Sequence, residues 1–194
     1  MSHHLLQKVS VPEGTSGKWK VERFEVTAEQ AALERIRGIM SGRSVREGSY
    51  TRLLRGGTLV MSDTDDEMRD HWTPVWAARD DILINGLGLG CVLAACLRKP
   101  EVRKVTVIEA SEDVIQLVGP SYVDPRVEII HADAFEYAPP KGVRFGMVWH
   151  DIWDYITADN LPEMTRLKRK YGRRTDWQGC WAESLCRRAA RRYA

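Results

Sequence analysis

Asp81-Ile82-Leu83-Ile84-Asn85-Gly86-Leu87-Gly88-Leu89-Gly90 is the most informative stretch of this sequence. Its three consecutive apolar residues, 82–84, predict a buried parallel strand, and the apolar run 91–97 after the glycines predicts a helix. Glycine at every second position of the turn allows a ligand to approach the backbone, because a Cβ there would block it and strain the turn. Strand, glycine turn and helix predict the opening βαβ unit of a nucleotide-binding fold. A GxGxG pattern alone is equally compatible with an ordinary tight turn.

Three further apolar segments of strand length follow, and each ends in polar residues. The first ends in Glu109, about 20 residues beyond the glycines, where an acid reaches the ribose hydroxyls in dinucleotide-binding folds. The second is followed by Ala132-Asp133-Ala134, and the third by His150-Asp151-Ile152-Trp153-Asp154. Because parallel strands end at one edge of their sheet, we expect a ligand site at that edge. The three predicted strands are residues 105–109, 127–131 and 145–149.

The order of these motifs differs from that of nicotinamide enzymes. It resembles the class I S-adenosylmethionine-dependent methyltransferase superfamily, and more narrowly its spermidine synthase-like branch. That branch carries a hairpin, an Asp-Glu pair that opens a helix, a glycine loop and an Asp-x-x-Asp after the fourth strand. The matching segments are residues 59–63, 66–67, 86–90 and 151–154, within about residues 50–160. The resemblance implies an α/β fold, a Rossmann-like class I methyltransferase sheet with an N-terminal strand, helix and β-hairpin extension.

The same resemblance implies S-adenosylmethionine, or alternatively decarboxylated S-adenosylmethionine, as cofactor. Glu109 would bind both ribose hydroxyls, Asp133 would accept from the adenine amino group, and Ala134 would offer its backbone amide to the ring. Asn85 stands where an acid is common, which weakens the usual contact to the amino-acid end, although an amide can still accept a hydrogen bond. The implied cofactor-binding residues are Asn85, Gly86, Gly88, Gly90, Glu109, Asp133 and Ala134.

Candidate catalytic residues follow the fourth predicted strand. A sulfonium is already a strong electrophile, so the site must mainly align the nucleophile, remove its proton and exclude water. Asp151 could act as a general base or hold an acceptor amine, and Asp154 could hold the same amine. His150 is an alternative base because imidazole titrates near neutral pH, but a non-catalytic histidine fits equally well. Trp149 and Trp153 could wall an apolar or aromatic acceptor pocket.

The N-terminal segment predicts the elements that would cover this site. Residues 19–26 alternate like a half-exposed strand, Thr27 and Gln30 predict a capping box, and Gly42 predicts the helix end. Gly56-Gly57 predicts a hairpin turn. By resemblance, Asp66, Glu67 and His71 in the next helix are candidates for binding the acceptor. Helix capping and surface charge explain those three residues equally well.

Beyond Asp154 the sequence departs from the family. Helices are predicted over residues 161–171 and from a cap at Asp176 onward, and no segment convincingly predicts the fifth to seventh strands of a class I methyltransferase. We therefore expect a C-terminally truncated sheet, covered by these helices or completed by a partner, for example in a homodimer. The predicted units are an N-terminal extension, 1–79, a cofactor-binding core, 80–158, and basic C-terminal helices, 159–194.

Composition is that of an ordinary globular chain. The 194 residues are 43% hydrophobic and 29% charged, enough for one domain with a full core. No apolar run approaches the roughly 20 residues of a membrane span, and the N-terminus has no signal-peptide pattern. The four cysteines form no Cys-x-x-Cys pair. We therefore expect a cytoplasmic protein without a membrane partner.

Positive charge is concentrated near the C-terminus. Residues 166–194 hold ten basic residues and two acids, a charge of +8, whereas residues 1–165 carry −6 of the total +2. Such asymmetry can indicate a nucleic-acid partner, and it is equally compatible with a solvated helix face.

Three functions remain open at this point. Methyl transfer to an unidentified small-molecule or macromolecular acceptor is preferred. Aminopropyl transfer is the rival, because Asp151 and Asp154 match the diamine-binding motif of polyamine synthases. Those enzymes also carry an acid in the glycine loop, where this chain has Leu89, and an apolar residue cannot bind an ammonium group. The third hypothesis is a non-catalytic nucleotide-binding module with a basic docking tail. No paired His/Cys spacing predicts a metal site.

Overall fold

The computed structural model describes residue 5, residues 7–38 and residues 44–192. Gly42, the predicted end of the first helix, lies outside these residues. Among them, no helix is both long and apolar enough to cross a bilayer. The elements in chain order are β1 (Gly14–Ser16), β2 (Trp19–Val26), α1 (Ala28–Gly38), β3 (Gly48–Arg55), β4 (Thr58–Ser62), α2 (Asp65–Asp70), α3 (Trp72–Ala77), β5 (Asp80–Asn85), α4 (Cys91–Leu97), β6 (Val102–Glu109), α5 (Glu112–Val118), β7 (Val127–His131), β8 (Phe145–His150), α6 (Asn160–Tyr171), β9 (Thr175–Cys180) and α7 (Glu183–Arg192).

A five-stranded parallel sheet forms the centre, in the order β7-β6-β5-β8-β9. Alternation along β5 divides its side chains between two cores. Ile82 and Ile84 pack on the face that carries α3, α4 and α5, whereas Leu83 packs on the opposite face with Leu167 and Tyr171 of α6. Helices on both faces of a parallel sheet make a Rossmann-like α/β fold, so the predicted fold class is confirmed.

The prediction of a helix capped by Asp176 is wrong. Residues 175–180 form β9, which pairs in parallel with β8, and α7 begins only at Glu183. The spacing of four between Trp177 and Trp181 is typical of a helix, but Trp177 stacks on Trp149 of the neighbouring strand, with ring centroids 6.3 Å apart. Pairing with β8 satisfies the backbone of this segment, and such tertiary context outweighs a local pattern. The helix predicted over 161–171 is confirmed.

A separate antiparallel sheet, β1-β2-β3-β4, forms the N-terminal extension. Its predicted hairpin is confirmed: Arg55 pairs with Thr58 across Gly56 and Gly57, whose φ angles are +57° and +83°. Positive φ at both turn positions is the type I′ geometry that glycine allows. The predicted capping box is also confirmed, because Gln30 N–H donates to Thr27 Oγ1 at 3.2 Å and Thr27 N–H donates to Gln30 Oε1 at 2.9 Å.

The strand order reverses between β5 and β8, and there the two strand ends lie against each other. Asp151 N–H donates to the Asn85 carbonyl at 2.8 Å, and Gly86 N–H donates to the Ile108 carbonyl at 2.8 Å. A Cβ on Gly86 would overlap the Asp151 carbonyl oxygen. Ligands of open α/β sheets bind at this kind of reversal, beyond the carboxyl ends of the strands.

Gly86→Ala should therefore destabilise the protein far more than Gly142→Ala. Both glycines have positive φ, +97° and +85°, but nothing lies within 4 Å of a Cβ built on Gly142. Gly142→Ala should cost only the backbone strain, about 1–2 kcal/mol of unfolding free energy. Gly86→Ala adds a backbone overlap that separates β5 from β8. Chemical denaturation of the two variants measures the difference, and equal losses would contradict the close approach.

Candidate active site

A cavity of about 510 Å³ lies at the carboxyl ends of the central strands and is closed on one side by the N-terminal sheet. Ten of the predicted site residues line it, and they come from segments up to 87 positions apart in the sequence, from Glu67 to Asp154. The ten residues are Glu67, His71, Gly86, Gly88, Glu109, Asp133, Ala134, Asp151, Trp153 and Asp154.

Glu109 is held in a fixed orientation at the end of β6. Its Oε2 accepts from Leu87 N–H and its Oε1 accepts from Ser111 N–H, each at 2.8 Å. Each carboxylate oxygen can accept more than one hydrogen bond, so both oxygens retain acceptor capacity toward the cavity. The side chain therefore links the glycine loop to the strand end and still presents an acceptor surface.

The loop after β7 contributes Asp133 and Ala134. Asp133 Oδ1 accepts from Phe135 N–H at 2.6 Å, which fixes the direction of its carboxylate. Lys170 of α6 donates to the carbonyls of Ala134 at 3.0 Å and Phe135 at 2.8 Å. Burial lowers the pKa of Lys170. This loop is therefore anchored from the opposite face of the sheet, an arrangement that the sequence did not indicate.

The glycine loop contacts the protein closely on two sides. Leu89 N–H donates to Met61 Sδ at 3.0 Å, and a Cβ on Gly88 would overlap that sulfur. A Cβ on Gly90 would overlap the ring of Tyr122, whose hydroxyl donates to the Leu89 carbonyl at 2.6 Å. Gly90 does not line the cavity. Together with the contact of Gly86 with Asp151, packing within the protein disfavours a side chain at all three glycines, whatever the loop binds.

Two carboxylates and a histidine lie together beneath the glycine loop. His71 Nδ1 is 3.8 Å from Asp151 Oδ2, and Trp149 Nε1 donates to the same oxygen at 3.4 Å. Burial raises the pKa of Asp151, and the nearby His71 opposes this rise. Glu67 accepts from Ser62 N–H, yet burial, with a smaller contribution from the charge of Asp151, raises its pKa to about 7. Of these groups, Glu67 can therefore exchange its proton near neutral pH.

His71 is itself buried, with 2% of its surface exposed. Within the described part of the chain its Nδ1 has no hydrogen-bond partner, although it lines the cavity. A buried nitrogen without a partner loses its hydration at a cost, so a ligand or an ordered water is expected to satisfy it.

Asp154 forms an ion pair with Arg55, whose guanidinium also lies over the ring of Trp19, 5.3 Å from its centroid. All three residues line the cavity. Arg55 and Trp19 were not among the predicted site residues, because neither belongs to a motif and only the packing of the N-terminal sheet brings them there. The charge of Asp154 is thereby already balanced within the protein.

Four predicted site residues lie outside the cavity. Asn85 and His150 face α6 on the other side of the sheet, where Asn85 Nδ2 and His150 Nδ1 are 2.8 Å apart. Burial lowers the pKa of His150 to about 4, so its imidazole is neutral at pH 7. Asp66 is buried on α2 and lies 3.4 Å from Arg69, and Gly90 packs on Tyr122. The geometry thus separates the candidate base His150 from the candidate base Asp151.

The two tryptophans of the predicted acceptor wall have different positions. Trp153 lines the cavity and donates through Nε1 to Glu163 Oε2 at 2.8 Å, whereas Trp149 is buried against Trp177 in a different core cluster. In the described ranges, no cluster of three or more His, Cys, Asp or Glu side chains is arranged to hold a metal ion.

Comparison with known proteins gives structural neighbours only. No protein-family model and no curated protein matches the chain. The spermidine synthase of Thermotoga maritima superposes with a TM-score of 0.55 at 18% identity, over 94% of this chain and 61% of that one. This chain therefore spans about three fifths of the length of that enzyme.

Two further solved structures are more distant. A spermidine synthase in complex with the transition-state analogue AdoDATO matches at TM-score 0.46 and 20% identity, over 71% of this chain and 44% of that one. The 23S rRNA methyltransferase ErmE matches at a TM-score of 0.45 and 18% identity, over 58% of this chain and 43% of that one. The fold that this chain shares with a known protein is therefore the Rossmann-like α/β fold of the Thermotoga maritima spermidine synthase.

The raised pKa of Glu67 predicts a pH-dependent stability. This carboxyl binds its proton more tightly in the folded than in the unfolded state. Its contribution to the free energy of unfolding is therefore fully present below about pH 4.5 and is lost as the pH rises toward 7. Relative to Glu67→Gln, which does not titrate, the wild type should lose up to about 3 kcal/mol of unfolding free energy across this window. Urea denaturation at several pH values measures the difference. The exposed Glu29→Gln corrects for net charge, and a pH-independent difference would contradict the burial of Glu67.

Proposed function

We propose that this protein is an enzyme that transfers a methyl group from S-adenosylmethionine to an acceptor. The observation that carries the proposal is the Glu109 carboxylate, fixed by the amides of Leu87 and Ser111 in the same cavity as Asp133 and Asp151. A nucleoside ligand requires acceptors for its ribose hydroxyls and for its amino group. Glu109 and Asp133 supply these acceptors at neighbouring strand ends.

The residues present fit the adenosyl end of the cofactor better than its amino-acid end. Glu109 and Asp133 would hold the ribose and adenine, and Ile108 and Phe135 line the same part of the cavity with apolar surface. Asn85 stands where the resemblance implies an acid that contacts the amino-acid end of the cofactor, and its side chain faces away from the cavity. The backbone of the glycine loop and the polar groups of the N-terminal sheet are left to hold the remainder. When bound, the cofactor would supply an electrophilic methyl group.

The protein's own contribution to the reaction would be made by Asp151. Its carboxylate faces the cavity, and burial makes it a stronger base than an exposed aspartate. Ionised Asp151 could accept the proton of an attacking nucleophile, and the adjacent His71 would stabilise its charge. The N-terminal sheet covers the cavity and would limit the access of water, which favours transfer to the acceptor over hydrolysis.

Aminopropyl transfer from decarboxylated S-adenosylmethionine remains the second candidate. The superposition on a spermidine synthase over 94% of this chain supports that fold but not that reaction. Two features of the site favour methyl transfer. Leu89 is fully buried and does not line the cavity, so it cannot meet an aminopropyl ammonium. Arg55 balances Asp154, so the Asp151 and Asp154 motif no longer offers two free carboxylates to a diamine.

Calorimetric titration with S-adenosylmethionine and its decarboxylated form tests the cofactor. We expect tighter binding of S-adenosylmethionine and at least a tenfold loss in Glu109→Gln, since a bidentate carboxylate contact contributes roughly 1.5–3 kcal/mol. The exposed Glu29→Gln is the matched control and should bind normally. Preference for the decarboxylated form would favour aminopropyl transfer. Binding of neither compound would contradict the cofactor assignment.

Asp151→Asn tests the catalytic role. With radiolabelled S-adenosylmethionine and a panel of amines, phenols, thiols and RNA, the variant should lose about 10²–10⁴-fold in turnover while it keeps its affinity for the cofactor. Asp154→Asn, which breaks the pair with Arg55, should lose less. Unchanged turnover in Asp151→Asn would remove Asp151 from the mechanism. Cofactor binding without transfer to any acceptor in the wild type would instead favour the non-catalytic nucleotide-binding module.

A further inference from the structure

The basic residues of the C-terminal region divide into two groups with different surroundings. The basic residues that point inward form ion pairs or hydrogen bonds with the rest of the protein. Lys168 pairs with Glu183 at 3.0 Å, Lys170 donates to the carbonyls of the loop after β7, and Arg174 donates to the carbonyls of Pro139 and Pro140. The outward group consists entirely of exposed arginines: Arg166, Arg169, Arg173, Arg187, Arg188 and Arg191.

Among the described residues, acids pair with two of the six outward arginines, Arg187 with Glu183 at 2.7 Å and Arg166 with Glu136 at 3.7 Å. Asp176 pairs with Arg79 and Arg144, which both lie outside the region, at 3.1 and 3.2 Å. Glu183 accepts from Lys168 and from Arg187. Both carboxylates are therefore already shared between two cations. Charge in excess of the available acids remains on the surface of α6 and α7.

The outward arginines lie on or next to the two packed helices α6 and α7. Arg166 and Arg169, three positions apart, share one face of α6, and Arg173 lies two residues beyond the end of that helix at Tyr171. Arg188 and Arg191 lie on the exposed face of α7, which packs on α6. We call this set the arginine face. On a surface that contacts only solvent, lysine would serve as well as arginine. The planar guanidinium group of arginine, by contrast, matches the geometry of phosphate oxygens.

The arginine face reaches the rim of the cavity. The guanidinium of Arg166 lies 4.9 Å from the centroid of the Phe135 ring, and Phe135 lines the cavity. We propose that the arginine face binds the phosphate backbone of a single-stranded nucleic acid that runs along α6 toward the cavity. Stacking on Phe135 and Trp153, which both line the cavity, is available to the bases at that end. This inference does not depend on the reaction proposed above.

Fluorescence anisotropy with a labelled single-stranded RNA of about 20 nucleotides tests the proposal, in salt from about 50 to about 300 mM. We expect affinity to fall steeply with salt, by a log–log slope of about −0.7 for each phosphate contacted. Arg169→Glu/Arg173→Glu and Arg188→Glu/Arg191→Glu should each weaken binding at least tenfold and reduce that slope. Circular dichroism checks that the variants fold.

Arg23→Glu/Arg35→Glu is the matched control, because both arginines are exposed on the N-terminal extension and the change in net charge is the same. This variant should bind RNA almost as well as the wild type. No binding at low salt, or an equal loss in the control and the arginine-face variants, would overturn the proposal. Equal affinity for polyglutamate would assign the face to acidic proteins and would also overturn it.

Discussion

The candidate site depends on the close contact between the ends of β5 and β8. Gly86 lies directly against the carbonyl of Asp151, and the Asp151 amide closes the gap by donating to the Asn85 carbonyl at 2.8 Å. Only a residue without a side chain permits this approach. The contact places the glycine loop beside the residues that follow β8, so that Glu109, Asp133 and Asp151 open into one cavity. Without it, the strand ends would separate and the polar clusters would not meet.

Burial then gives these polar groups different chemical properties. Glu67 and Asp151 lose hydration beneath the glycine loop and become weaker acids, whereas Asp154 forms an ion pair with Arg55. For the base His150, burial has the opposite effect on the pKa. It lowers the pKa of the imidazole to about 4, so the ring is neutral at pH 7. Neighbouring positions in one motif thus respond to burial in opposite ways, with the pKa of Asp151 raised and that of His150 lowered. The alternation of side chains across the sheet, rather than residue type, separates Asp151 from His150.

The N-terminal sheet is an integral part of the site. Met61 rests on the glycine loop, Arg55 crosses the cavity to Asp154, and Trp19 supports the guanidinium of Arg55. Lys170 anchors the loop after β7 from the far face, so the cavity is braced from both sides of the central sheet. A change in the hairpin would therefore alter the contacts of the glycine loop. This coupling distinguishes the cavity from the open edge of a bare nucleotide-binding sheet.

Local patterns determined much of this protein. Continuous apolar runs identified β5, β6, β7 and β8, the Thr27 and Gln30 pair identified the start of α1, and Gly56-Gly57 identified the hairpin, because each depends on backbone geometry within a few residues. The strand-end acids were found because parallel strands must end together.

Tertiary structure alone decided that residues 175–180 form β9, since pairing with β8 outweighs the helical spacing of Trp177 and Trp181. It also decided that Arg55 and Met61 enter the cavity and that Asn85 and His150 leave it. Those outcomes depend on which face of a strand meets which neighbour, and that is set by packing between distant segments.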